Sequence, residues 1–146
     1  MITIDIELNI PALIPDDYVF DVFTRLTFYK RMNNCQTIEA LDDIKVELID
    51  RFGPLPEAAQ NLFHVLKIKL KAKQLKIKSL VMNEDAADIK FNQYSPDFYA
   101  QLIKLVQSKP NTYKPLPGDG LRYLGEFTEA ADRIDAIHQL FDILQA

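Results

Sequence analysis

One cysteine, two histidines and four glycines are what 146 residues supply to the chemistries that depend on those side chains. With Cys35 alone, no intrachain disulfide and no paired-thiolate zinc site can form, and a reducing compartment fits that usage. A phosphate-cradling loop needs glycines that let backbone N–H groups crowd an anion between a strand and a helix. Gly53, Gly118, Gly120 and Gly125 stand in no such setting. Nucleophilic catalysis needs a Ser, Cys or Thr beside a base, yet His64 and His138 both fall inside amphipathic helical patterns and read as helix-flank residues. A reactive thiol needs a cationic or helix-N-terminal setting, so Cys35, in the link between two helices, reads as a packing residue. Glu84, Asp85 and Asp88 lack the spaced ligands and central glycine of a calcium loop and read as a solvated turn. No apolar run approaches the roughly 18 residues that span a bilayer, and no basic-then-apolar leader opens the chain. Neither membrane insertion nor secretion is expected. A cytoplasmic domain without a catalytic site, cofactor or metal is.

Hydrophobic residues make up 48% of the chain and charged ones 26%, mixed in sign, which is the composition of a folded globular domain able to bury about two-thirds of its unfolded surface. The net charge of −4 gives no global attraction to nucleic acid. Met1 runs straight into a strand-like segment, as expected of a piece of a longer protein.

Ile2 to Leu8 alternates apolar and polar residues strictly and predicts one half-buried strand. After Pro11 and Pro15, Asp16 stands as an N-cap before Val19, Val22, Phe23, Leu26 and Tyr29, which mark one face of a helix reaching about Met32. Thr37 caps a second helix with Ile38, Leu41, Ile44, Leu48 and Phe52 inward and Gly53 at its end. A third helix, residues 57–74, faces Ala59, Leu62, Phe63, Leu66 and Leu70 inward, and its second apolar row of Ile68, Ala72 and Leu75 implies burial on another side. Two short strands, Leu80 to Met82 and Ala87 to Phe91, form a hairpin around Asn83-Glu84-Asp85. Ser95-Pro96 opens a helix bearing Phe98, Tyr99, Leu102, Ile103 and Val106. A second hairpin, Tyr113 to Leu116 and Leu121 to Leu124, turns at Pro117-Gly118-Asp119-Gly120, and Thr128 caps a last helix. The fold class is therefore α+β: an N-terminal strand and three-helix lobe over residues 1–76, then a small antiparallel sheet lobe over residues 77–146 with the order strand-strand-helix-strand-strand-helix, in one domain.

Two surface patterns remain. Lys67, Lys69, Lys71, Lys73, Lys76 and Lys78 form a basic run of the kind that neutralises phosphates. On a helix, however, they scatter around the axis, with few arginines or aromatics to stack on bases, so DNA contact is not the favoured reading. On the second helix, Glu39, Asp43, Glu47 and Asp50 share one stripe opposite the apolar face, with Arg51 alongside. That stripe suits docking of a basic partner, or serves simply as a solvated face carrying an intrahelical Glu47–Arg51 pair.

The blocks Leu13-Ile14-Pro15-Asp16-Asp17-Tyr18-Val19, Arg25-Leu26-Thr27-Phe28-Tyr29-Lys30-Arg31 and Ile44 through Pro56 (IKVELIDRFGPLP) resemble, in order and spacing, the C-terminal domain of bacterial transcription-repair coupling factor. The motifs cover residues 8–80. One departure is Leu75-Lys76-Ile77, where the family commonly has Leu-Gly-Ile. The resemblance implies a parent ATP-driven DNA translocase that displaces stalled RNA polymerase and recruits UvrA, with its motor motifs outside this chain. It also implies that this domain folds back on a UvrB-like module, represses the enzyme and masks the UvrA-binding surface. Charged contacts of that clamp map onto Glu47, Asp50 and Arg51, with Asp43 on the same stripe. RNA polymerase and UvrA are then indirect partners.

Overall fold

Asp21, not Asp16, caps the first helix. In the computed structural model, which describes residues 4–92, 95–118 and 120–145, the Pro15 carbonyl accepts from the backbone N–H groups of Tyr18 and Val19, closing a separate turn. The N-cap is Asp21, whose carboxylate accepts from the Thr24 backbone N–H at 2.9 Å and its hydroxyl at 2.8 Å. Helix α1 follows as Val22–Asn33. Its expected inner face is also displaced: Val22 and Leu26 are more than half exposed and Phe23 is 80% exposed, whereas Phe28 and Met32 are buried. Apolar residues surround this helix at 22, 23, 26, 28, 29 and 32, so periodicity does not select a face. Tertiary bonds do. Tyr29 accepts the Ile14 backbone N–H at 2.7 Å, and Arg25 donates to the carbonyls of Val19 and Phe20.

Helix α2 (Ile38–Phe52) matches its sequence signals: Thr37 accepts from the Ala40 N–H, Leu41, Ile44 and Leu48 are buried, and Gly53 closes the helix at φ 90°. Tyr18 donates its hydroxyl to the Gly53 carbonyl at 2.6 Å, locking that end. Helix α3 (Glu57–Gln74) buries Ala59 and Phe63 and, as its second apolar row implies, Ile68 and Ala72. Buried Asn61 donates to the Pro11 carbonyl at 2.9 Å, so the one polar side chain taken out of water among the described residues is hydrogen-bonded. Residues Ile10–Leu70 form one compact unit around Ile14, Val19, Phe28, Met32, Leu41, Leu48 and Phe63.

The second unit takes the described residues up to Asn9 together with those from Lys71 onward. Strands β1 (Asp5–Glu7), β2 (Ile77–Met82), β3 (Ala86–Phe91), β4 (Tyr113–Leu116) and β5 (Gly120–Leu124) form one sheet in the order β1-β2-β3-β5-β4. Both expected hairpins are present. The sheet is nevertheless mixed and not purely antiparallel, because β1 joins β2 in parallel, Asp5 opposite Ser79 and Glu7 opposite Val81. The expected strand residues Ile2 and Thr3 lie outside the described residues, as does Asp119 of the second turn. Helix α4 (Pro96–Ser108) is capped by Ser95 as expected. Helix α5 (Ala130–Gln145) begins two residues after Thr128, and the Glu129 N–H goes to the Asp132 carboxylate. A Cβ at Gly120 would stand 2.8 Å from the Ile89 carbonyl, so the approach of β5 to β3 requires glycine there.

Strand β2 starts at Ile77, earlier than its pattern indicates, because Lys76 adopts φ 58° and turns the chain directly out of α3. A side chain in the left-handed region costs on the order of 1 kcal/mol relative to glycine. Lys76→Gly is therefore expected to raise stability by about 1 kcal/mol, a melting-point gain of about 2–4 °C for a domain of this size. A thermal scan showing no gain would mean that the lysine side chain compensates the strain.

Candidate functional site

Because α2 buries Leu41, Ile44 and Leu48, a helix turning 100° per residue must send Asp43 and Asp50 outward. Both are exposed, and neither makes an ion pair among the described residues. Glu47 sits nearer α1 and is not merely solvated. Arg31, in the last turn of α1, grips it with both terminal nitrogens, at 2.7 Å to Oε2 and 2.9 Å to Oε1. Arg51, one turn further along α2, reaches the same Oε2 at 3.5 Å. The intrahelical pair that the sequence suggests is thus the longer contact, and a bidentate interhelical one dominates. The Arg31 hydrogen bonds, then the charges of Arg31 and Arg51, hold the Glu47 carboxyl below the usual carboxylate range.

Aromatic rings position these cations. The Arg31 guanidinium lies 5.3 Å from the centre of the Phe28 ring, and that of Arg51 lies 5.4 Å from Phe28 and 5.0 Å from Phe52. Phe28 and Phe52 meet edge to face at 6.2 Å. Buried Phe28 and partly buried Phe52 therefore support a surface patch of two cations and two anions: Arg31, Arg51, Glu47 and Asp50. The structure brings Glu47 and Arg51 together, while Asp43 and Asp50 make no ion pair among the described residues. Arg31 escapes sequence reasoning, since a contact 16 residues apart follows no helical period.

Several of the other sequence candidates are engaged within the chain. Lys67 pairs with Asp42 at 3.0 Å, and Lys71 Nζ lies 3.4 Å from His138 Nδ1, so two members of the basic run are engaged within the chain. Asp88 receives Arg122 bidentately at 2.8 and 2.9 Å, which holds its carboxyl low, and Asn83 accepts the N–H groups of Asp85 and Ala86 in the turn. No group of three or more His, Cys, Asp or Glu among the described residues could hold a metal ion. Burial pushes the Cys35 thiol up, and its Sγ donates to the Arg31 carbonyl. No helix among the described residues is long and apolar enough to cross a membrane.

A family model described as the TRCF domain matches residues 8–102, a span that contains Arg31, Asp43, Glu47, Asp50 and Arg51. The transcription-repair-coupling factor of Escherichia coli is 38% identical over 141 residues, which is 97% of this chain and 12% of that protein. That of Haemophilus influenzae is 42% identical over 113 residues, 75% of this chain and 10% of that protein. The chain thus spans about one-eighth or less of the length of these curated relatives. Among solved structures, the C-terminal domain of a transcription-repair coupling factor superposes with a TM-score of 0.78 at 17% identity, covering 97% of this chain and 91% of that one. At that identity the likeness concerns the fold.

Proposed function

This chain belongs to the TRCF domain family, and from that premise we propose that it is the regulatory, autoinhibitory interaction domain of a transcription-repair coupling factor acting in transcription-coupled nucleotide excision repair. In this reading it clamps a UvrB-like module of the same protein and covers the surface that UvrA must reach. Engagement of RNA polymerase or DNA by the open state releases it, and the translocating motor resides elsewhere in the parent. The observation that carries the reading is the outward face of α2, where exposed Asp50 and Asp43 flank the Glu47–Arg51 pair inside the matched segment. A clamp that must open needs contacts a competing ligand can outbid by differential affinity, and solvent-exposed charge pairs supply such modest, salt-sensitive energies.

Titration calorimetry of this chain against the isolated UvrB-like module tests the proposal. Glu47→Ala combined with Asp50→Ala is expected to weaken docking about tenfold, while wild-type affinity falls as salt rises. Both residues are surface groups of a capped helix, so the variant keeps its fold. Unchanged affinity in the double variant would move the contact to another face. DNA binding that falls steeply with salt would favour a nucleic-acid-binding accessory role for the lysines from Lys67 to Lys78.

A further inference from the structure

The carboxylate on which docking relies is already occupied. Arg31 takes one position on each Glu47 oxygen, and Arg51 shares Oε2. A carboxylate offers about four acceptor positions, so roughly one remains for an incoming donor. The three charges, two cations and one anion, sum to +1 at the point where a basic partner is to bind. Asp50 only brings the patch to zero.

Building on the docking reading above, we propose that Arg31 is an internal competitor for the docking surface, holding Glu47 against α1 in the undocked domain and yielding it to a cationic side chain of the partner. The exchange is feasible because the pair is open to solvent: the Arg31 side chain is 43% exposed and that of Glu47 36%. Arg31 also keeps a resting place when displaced. It lies over the Phe28 ring and in the last turn of α1, where the negative end of the helix favours a cation. An incoming cation replaces hydrogen bonds that Arg31 already makes, so the net gain on docking is small and the clamp stays reversible. Exposed Asp50, which makes no ion pair among the described residues, is the group a partner meets first.

The competitor role makes a prediction opposite to that for an ordinary contact residue: deleting it strengthens binding. Arg31→Gln keeps a helix-forming side chain and removes the charge. The labelled chain is titrated with the isolated UvrB-like module and followed by backbone amide NMR, which reads affinities into the millimolar range. Arg31→Gln is expected to bind about fivefold tighter than wild type at low salt, with the gain shrinking at high salt, and Arg31→Lys, which retains charge without the fork, should fall between. In the chain alone, the carbon-13 titration of Glu47 should move up toward the ordinary carboxylate range. Equal or weaker binding by Arg31→Gln overturns the proposal, a loss assigning Arg31 to the contact itself or to holding Glu47 in place. The Glu47→Ala, Asp50→Ala variant run alongside separates this failure from that of the docking reading: if it binds as wild type does, the surface itself is wrong. Absence of binding by every chain removes the docking reading and this inference with it.

Discussion

Phe28→Ala should cost about 3–5 kcal/mol of folding stability, as expected for an emptied aromatic site in a core, and should loosen the charged patch of α2 at the same time. Phe28 is 1% exposed and packs with Ile14, Met32, Leu41 and Leu48 in the helical unit. Its ring also meets Phe52 and lies beneath both Arg31 and Arg51. Removing it therefore opens a cavity and withdraws the face against which two guanidiniums are held. The control is Phe23→Ala, five residues earlier on the same helix. Phe23 is mostly exposed, so its truncation should change stability by no more than about 0.5 kcal/mol. Urea denaturation of the two variants decides which face of α1 is buried. Equal losses, or a larger loss at Phe23, would contradict the orientation of α1 and restore the face that its sequence pattern suggests.

That contrast shows where the sequence was legible. Signals closed within a few residues were readable: Thr37 bonding to Ala40, Ser95 to Phe98, Gly53 ending α2, and the row Leu41, Ile44, Leu48. Each is decided by local geometry, which residue type and spacing express. Helix α1 was not readable in this way, because its apolar residues lie all round and the choice of face rests on distant partners, Ile14 for Tyr29 and Phe52 for Phe28. Strand β1 announced itself by alternation, yet nothing local could announce a parallel partner more than seventy residues away. The candidate surface divides along the same line. Asp43, Glu47, Asp50 and Arg51 follow from the turn of one helix, whereas Arg31, which alters the charge they present, belongs to another. The comparison of Lys76 with the glycine expected from family resemblance marked the end of α3 as unusual, and the positive φ accounts for it.

The tie holding β1 in place sets the second large effect, at Arg133. Its guanidinium donates Nε to the Phe127 carbonyl at 2.8 Å and Nη1 to the carbonyls of Leu8 and Asn9, both at 2.9 Å. One side chain in the first turns of α5 thus secures the end of β1 from 125 residues away in sequence. The strand needs it. Strand β1 has three residues, pairs among the described residues on one side only, with β2, and carries little apolar surface of its own. Hydrogen bonds to a charged group contribute about 1.5–3 kcal/mol each in favourable settings and do not add fully, so Arg133→Ala should cost about 3 kcal/mol, much of it from carbonyls left without a donor. The loss should also be local before it is global. Amide exchange in β1 should accelerate well beyond that in β3 and β5, whose pairing involves neither Arg133 nor its acceptors. Arg133→Lys should recover only part of the protection, since one ammonium cannot span three carbonyls arranged for a planar fork. Unchanged β1 protection in Arg133→Ala would mean that pairing with β2 suffices to hold the strand, and Arg133 would then be a surface residue of α5 with well-placed but dispensable bonds.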